Sequence, residues 1–163
     1  MAAGIDPRWR LDTPTDLPDA AVREISAALN AFVADAFALY LKIKNFHWHI
    51  SISGPHFATL HSSMSRPSRS SPPPTCFGGT TLRSVGDVAR HQSIKDNDAQ
   101  FVAPNDMLRE LMDDNKAMAA PMRRGHAVAE KHADAATAGL LETFIDEAEK
   151  RTWFLFEASR THR

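Results

Sequence analysis

The sequence predicts an all-α protein built as a bundle of long helices. Three stretches of more than twenty residues carry apolar side chains at steps of three and four, the spacing that places them on one helix face. No alternation of apolar and polar residues is long enough to predict a strand. Because long amphipathic helices bury their apolar faces against one another, this pattern indicates a helix bundle.

Composition excludes several classes of protein. The 163 residues are about one domain in length, 43% hydrophobic and 24% charged, as in a globular protein. A net charge of -1 argues against a strongly basic nucleic-acid-binding surface. One cysteine, Cys76, excludes a disulfide framework and a cysteine-based zinc site. Since no apolar run approaches 18 residues and the start lacks a hydrophobic segment, we expect a cytoplasmic protein with no membrane span.

The first long helix follows a proline-containing stretch. Residues 1–18 hold three prolines and predict an extended arm. Asp19 is a candidate N-cap, and the helix is predicted to continue to about His47. Its apolar stripe consists of Val22, Ile25, Leu29, Phe32, Ala36, Leu39 and Ile43.

The fourth helix that would close the bundle is difficult to find between His47 and Pro104. A helix can begin near Ser53 and run to His61, but residues 62–77 are rich in serine and contain four prolines. A proline inside a helix costs about 3 kcal/mol, so this segment is predicted to be irregular coil. Residues 80–91 can form only a short helix.

The second half of the chain predicts two long helices. Pro104 suits the first position of one helix, Asp106 suits its first turn, and the apolar stripe continues to about His132. Pro121 and Gly125 predict a kink or break within it.

The last helix is predicted from about Ala135 to Ser159, with Asp134 as its cap. The chain is thus organised as an arm over residues 1–18, a bundle over 19–159 and a tail over 160–163.

Histidines concentrate where carboxylates are missing. No Asp or Glu occurs between Asp35 and Asp87, where the average density of the chain would place about six. Imidazole is a ligand for iron, zinc, copper or nickel, although each of these histidines can equally be an ordinary polar side chain. The gap contains half of the eight histidines: His47, His49, His56 and His61.

Residues 44–61, KNFHWHISISGPHFATLH, resemble the signature of the Dps family, the starvation-induced DNA-protecting miniferritins. The shared features are a His-Trp pair, a Gly-Pro-x-Phe turn and a second histidine. Further similar segments bring the resemblance to roughly 130 of the 163 residues: ALNAFVADAFALYLKIKNFHWH, GGTTLRSVGDVARHQSI, NDMLRELMDDNKAMA and EKRTWFLFEAS.

The resemblance implies a ferritin-like four-helix bundle with a short extra helix between helices 2 and 3. In this chain the second helix would be disrupted over residues 62–77. The resemblance also implies a homo-oligomer, a dodecamer in the family, that oxidises Fe(II) with hydrogen peroxide, stores ferric iron and protects DNA non-specifically in the cytoplasm.

The resemblance assigns iron ligands to His47 and His61 and places Trp48 beside the site, where interface packing would explain it equally well. Family members add carboxylates from the second helix, but Ser65 occupies one of those positions here. Iron prefers oxygen ligands, so the chain as written predicts little ferroxidase activity. The alternative is therefore a non-catalytic structural or DNA-binding relative.

The segment over residues 62–77 has two explanations. A frameshift with a short deletion, in the gene or in its sequencing, could have replaced the sequence of the second helix. Codons can be chosen for this segment that encode a helix-like acidic sequence in a shifted frame. Alternatively, the segment is a real variant. Resequencing the locus distinguishes the two.

Two weaker assignments follow from the resemblance. Asp134 and Glu142 lie near the segment that lines the acidic iron-uptake pores of the family, although a helix cap and an exposed charge would explain them as well. The terminal arginines are candidate DNA contacts. They are fewer than the roughly six to ten phosphate contacts that a tightly binding protein makes. They are Arg8, Arg10, Arg160 and Arg163.

Overall fold

The computed structural model describes residues 13–50 and 78–160, which form four α-helices. These are α1 (Asp19–His49), α2 (Val85–His91), α3 (Pro104–Lys131) and α4 (Ala135–Arg160). No strand occurs within the described ranges, so the predicted all-α class is confirmed. The predictions for residues 1–12, for the helix near Ser53 and for the coil over residues 62–77 lie outside the described residues.

The start of α1 differs from the prediction. The N-cap is Pro18, whose backbone is extended (φ −65°, ψ 150°), and no side chain caps the helix. Asp19 as the N-cap is therefore wrong, because its backbone is already helical. The carbonyl of Pro18 accepts the first helical hydrogen bond from the Val22 amide at 3.1 Å. The Asp19 carboxylate instead lies in the first turn, where it is favourable to the helix dipole.

The apolar stripe of α1 forms one side of the core. Most of its predicted members are buried, and Phe32 stacks on Phe144 of α4 with ring centroids 5.3 Å apart. By length and composition α1 could also cross a membrane, although its apolar residues do not form an uninterrupted run. This is weak evidence for a span, because a core helix meets the same criterion. α1 also buries Asp35 and Lys42 in polar contacts with neighbouring segments.

The short helix α2 confirms the prediction for residues 80–91. Its N-cap is Ser84, whose hydroxyl accepts a hydrogen bond from the Asp87 amide at 3.1 Å. The Asp87 carboxylate accepts one from the Arg83 amide at 2.8 Å and pairs with Arg90. The hydrogen bond from the Arg83 amide, followed by that from Arg90, lowers the pKa of Asp87.

Helix α3 begins with Pro104 in its first turn, as predicted, and continues without interruption to Lys131. Of the predicted kink or break at Pro121 and Gly125, the break is therefore wrong, and a kink within the continuous helix stays a prediction. Gly125 is buried between two other helices: a Cβ added to it would lie 3.4 Å from a methyl group of Leu141 and 3.5 Å from Cβ of Ala28. Packing on both sides holds α3 together, although Pro121 removes one backbone hydrogen bond.

Helix α4 follows α3 after a three-residue connection. Asp134 caps it as predicted, since its Oδ1 accepts a hydrogen bond from the Thr137 amide at 3.0 Å. The last turn extends to Arg160. The core lies among α1, α3 and α4, and its largest fully buried side chains are Phe46, Ile25, Leu108, Leu111, Met122, Leu141, Leu155 and Asn115.

Candidate metal site

His47, the first predicted iron ligand, lies in the last turn of α1. Both of its ring nitrogens are buried, and the preceding residue, Phe46, is 1% exposed in the core. Each helical residue is rotated by about 100° from the last, so Trp48 projects from another side of α1 and is 71% exposed. The structure thus places the His47 imidazole at the boundary of the core and the tryptophan beside it on the surface.

The neighbouring His49 has a different environment. Its Nδ1 lies 2.7 Å from the Asn45 carbonyl oxygen, which can only accept, so Nδ1 carries the proton and donates it. The side chain is exposed, and its hydrogen bond satisfies the Asn45 carbonyl in the last turn of α1. His49 is therefore a surface histidine, two residues after a histidine whose ring nitrogens are buried.

The second predicted ligand, His61, lies outside the described residues, so pairing of His47 with His61 stays a prediction. Within residues 13–50 and 78–160, no three His, Cys, Asp or Glu side chains converge as a group that could hold a metal ion. The described part of the chain therefore contributes a single imidazole to the candidate site.

Asp35 is the carboxylate of α1 nearest to His47 in sequence, but it has a structural task. It lies twelve residues, or about 18 Å along the helix axis, before His47. The side chain is 2% exposed, and its oxygens accept hydrogen bonds from the Ser93 hydroxyl at 2.8 Å and from the amides of Ser93 and Ile94. Asp35 thus fixes the segment between α2 and α3 to α1.

A buried lysine, Lys42, links α1 to α3 five residues before His47. Nζ of Lys42 lies 2.6 Å from Asp114 and 2.9 Å from Glu110. The Asn97 side chain donates to Glu110 at 2.6 Å, and the Asn45 side chain donates to the Asn97 carbonyl at 3.1 Å. Burial tends to lower the pKa of Lys42, but the hydrogen bonds to Asp114 and Glu110 outweigh it and raise that pKa.

Sequence reasoning missed both of these buried charges. Asp35 and Lys42 are seven residues apart and lie along one edge of the apolar stripe of α1, so the periodicity places both beside its core face. A charged residue on a core face requires a partner, and this was the available signal. On α3, Glu110 and Asp114 have the four-residue spacing that presents two carboxylates together.

The two candidate pore residues lie on or beside α4. Asp134 is engaged in capping, whereas the Glu142 side chain is 69% exposed and lies 3.1 Å from Nε2 of His126. Nδ1 of the same ring lies 3.3 Å from Glu130. A role for Asp134 and Glu142 in iron uptake stays a prediction. The carboxylate of Glu142 is accessible, whereas one oxygen of Asp134 already accepts the hydrogen bond from Thr137.

Of the four candidate DNA-contacting arginines, only Arg160 is described. It ends α4, where its guanidinium lies 5.2 Å from the ring centre of Phe156 and 3.8 Å from Glu157. Its side chain is well exposed, so the ion pair leaves it accessible. Arg8, Arg10 and Arg163 lie outside the described residues.

Comparison with known proteins identifies the family. Residues 77–160, just over half of the chain, match the family model of the ferritin-like domain. DNA protection during starvation protein 2 of Bacillus anthracis is 27% identical over 141 residues, which are 82% of this chain and 94% of that protein. The chain belongs to the ferritin-like family, and within it to the Dps family.

A second relative has the same level of identity. The DNA protection during starvation protein of Brevibacillus brevis is 27% identical over 139 residues, which are 80% of this chain and 91% of that protein.

Solved Dps structures share the fold. A Dps protein from Bacillus brevis superposes with a TM-score of 0.74 at 24% identity, covering 86% of this chain and 98% of that one. A Dps protein from Vibrio cholerae O1, described as a member of a broad superfamily of ferritin-like diiron-carboxylate proteins, gives 0.73 at 20% identity, covering 86% and 92%. The predicted ferritin-like bundle is thereby confirmed.

Proposed function

We propose that this chain is a Dps-type iron protein that binds Fe(II), oxidises it with peroxide, stores ferric iron and protects DNA from oxidative damage in the bacterial cytoplasm. The observation that supports this most is the imidazole of His47, whose two ring nitrogens are buried at the end of α1 in a chain of the Dps family. Iron is the substrate and cargo in this proposal.

His47 and His61 would supply the nitrogen ligands. The last turn of α1, which carries His47, is held against the core. Phe46 is buried beside His47, and the ion pair of Lys42 with Asp114 joins the preceding turn to α3. A ligand held in this way loses little freedom when it binds a metal. Trp48, exposed next to it, would pack against the site or against a neighbouring subunit.

Oxygen ligands for iron would have to come from elsewhere. Glu110 and Asp114 are held by Lys42, and Asp35 is held by backbone amides, so these carboxylates have structural partners. Carboxylates presented by a neighbouring subunit could complete the site, which makes oxidation dependent on assembly.

Assembly is supported by an exposed apolar side of α1. Phe37, Leu41 and Trp48 follow one another at steps of four and seven residues and are 54%, 58% and 71% exposed. Large apolar side chains aligned on a surface indicate an interaction site. We propose a homo-oligomer, with the dodecamer of the family as the expected form. Light scattering that gave the mass of a monomer would contradict this.

The experiment is an anaerobic Fe(II) titration of the assembled protein, followed by addition of peroxide. We expect saturable binding and oxidation faster than in buffer, both strongly reduced in His47→Ala. His49→Ala is the matched control, because it removes the exposed imidazole two residues further along the chain. Equal loss in both variants, or no saturable binding in the parent protein, would reject the iron-oxidising function.

The second candidate function is a non-catalytic structural or DNA-binding protein. It is favoured by the absence of any carboxylate in the sequence between Asp35 and Asp87. A gel-shift titration tests it: retention of DNA that weakens steeply with salt, from a protein that does not oxidise iron, would support it. Replacing Arg8, Arg10, Arg160 and Arg163 with glutamine should then abolish retention.

A further inference from the structure

The turn of α1 that carries His47 is the last turn of a long helix and ends without a glycine cap. Its C-cap is Ile50, whose backbone is extended (φ −95°, ψ 143°), and the next residue in the sequence is Ser51. The last carbonyls of a helix have no partner within the helix, and helix ends fray unless other contacts hold them. The position of the His47 imidazole therefore depends on contacts made from outside α1.

One such contact is made by Asn45, two residues before His47. Nδ2 of Asn45 donates a hydrogen bond to the Asn97 carbonyl oxygen at 3.1 Å. Asn97 belongs to the segment between α2 and α3, 52 positions further along the chain. Since a carbonyl oxygen can only accept, the amide nitrogen of Asn45 must be the atom that faces it. Asn45 thus joins the last part of α1 to a different part of the fold.

Asn97 is itself held at both ends of its side chain. Its Nδ2 donates to the carboxylate of Glu110 at 2.6 Å, and its Oδ1 accepts a hydrogen bond from the Ala99 amide at 3.1 Å. The carboxylate can only accept and the amide can only donate, so these two partners fix the orientation of the Asn97 amide. The carbonyl that Asn97 presents to Asn45 therefore has a fixed position relative to α3.

These contacts close into a network that begins and ends on α1. Glu110 also lies 2.9 Å from Nζ of Lys42, which is 5% exposed. Lys42 and Asn45 are three residues apart and so share one side of α1. The asparagine network, which consists of Lys42, Glu110, Asn97 and Asn45, thereby holds two successive turns of α1 against α3.

We propose that Asn45 and Asn97 are positioning residues that fix the His47 imidazole for iron. This inference rests on the proposed function, in which His47 binds Fe(II). His47 is rotated by about 200° from Asn45, so the network holds the helix from one side while the imidazole projects from nearly the opposite side. Asn45 and Asn97 act on the imidazole through the backbone of the last turn. A ligand that is held in place before binding loses less freedom when the metal binds.

The test compares Asn45→Ala and Asn97→Ala with Lys44→Ala in the assembled protein. Lys44 is the matched control, because it lies in the same turn of α1 and its Nζ lies over the Tyr40 ring, 5.5 Å from the centroid, outside the asparagine network. The first measurement is hydrogen exchange of the metal-free protein, followed by mass spectrometry. We expect the amides of residues 46–49 to exchange about five- to tenfold faster in both asparagine variants, with the middle of α1 unchanged.

The second measurement is an anaerobic Fe(II) titration with Mössbauer spectra of the bound iron. We expect Fe(II) affinity about three- to tenfold weaker in both asparagine variants, because one hydrogen bond that holds the ligand is lost. Their quadrupole doublet should also be broader than that of the parent, since a less fixed imidazole gives a range of iron geometries. Lys44→Ala should match the parent in both respects. A loss of fold stability alone would not broaden the spectrum.

The outcomes separate this inference from the proposed function. A parent protein without saturable Fe(II) binding would reject the proposed function and, with it, any role of the asparagines toward iron. A parent that binds Fe(II), with Asn45→Ala equal to it in affinity and line width, would overturn the positioning role alone. Equal losses in Asn45→Ala and Lys44→Ala would overturn it as well. Asn45→Ala decides the question even if Asn97→Ala fails to fold, because the Asn45 side chain is only half-buried.

Discussion

Replacing Lys42 with methionine tests how the end of α1 that carries His47 is held in place. Lys42 is 5% exposed and contacts Asp114 and Glu110, so its removal leaves two carboxylates facing an apolar side chain. Breaking a fully buried ion pair costs about 3–5 kcal/mol. Since the Glu110 side chain is 31% exposed and keeps some water, we expect a loss of about 2–3 kcal/mol in the free energy of unfolding.

The assay is thermal and denaturant unfolding at pH 7, where such a loss lowers the melting temperature of a chain this size by about 6–9 °C. Lys150→Met is the control: its side chain is 72% exposed beside Asp146, so the change should stay within about 0.5 kcal/mol. Adding Asp114→Asn to Lys42→Met should recover part of the loss. A Lys42→Met protein as stable as the parent would refute the reasoning.

The same lysine predicts a dependence on alkaline pH. Its pKa is raised in the folded protein, so its contribution to stability is complete below the unfolded pKa of about 10.4 and is lost as the pH rises through the higher folded value. The Lys42→Met variant should lack this alkaline loss in a series of unfolding measurements.

Three further predictions concern other contacts. Asp35→Ala should lower the free energy of unfolding by about 2–4 kcal/mol, because buried amides lose their acceptor; Asp35→Asn, which keeps one oxygen, should cost less, and equal effects in denaturant unfolding would argue against this account. Hydrogen bonds from Lys131 and then His132 lower the pKa of Glu24 to about 2, so its contribution is present above about 4.5 and lost as the pH falls towards 2. Melting temperatures over that window should depend less on pH in Glu24→Gln. Gly125→Ala should stabilise α3 by about 0.5–1 kcal/mol, since the added Cβ meets only ordinary contacts, whereas Gly125→Leu should destabilise it by about 1–3 kcal/mol; a melting temperature lowered by alanine would contradict the packing described.

The long helices could be predicted because their signals are local and repeated. Periodic apolar residues placed the ends of α1, α3 and α4 within about two residues, and Asp134 was recognisable as a cap. The predictions are wrong where backbone geometry or tertiary packing determines the end or the continuity of a helix. The prediction of Asp19 as a cap is wrong because the sequence does not reveal the backbone angles of Pro18. The predicted break at Pro121 is wrong because the packing of α3 against α1 and α4 around Gly125 outweighs the lost hydrogen bond, whereas the alternative of a kink stays a prediction.

In the candidate site, too, local sequence signals could be predicted and contacts between distant residues could not. His47 was identifiable from a short motif, but its burial depends on how α1 packs. The contact of Lys42 with Asp114 joins residues 72 positions apart, and no local spacing encodes such a distant pair.

The central claim is that His47 binds iron at the end of α1 in an assembled Dps protein. A crystal structure of the assembled protein soaked anaerobically with Fe(II) tests it most directly, with anomalous scattering at the iron edge locating the metal. We predict an iron atom bonded to a ring nitrogen of His47 and to His61. A fully soaked crystal with iron only at other positions, and none at His47, would contradict it.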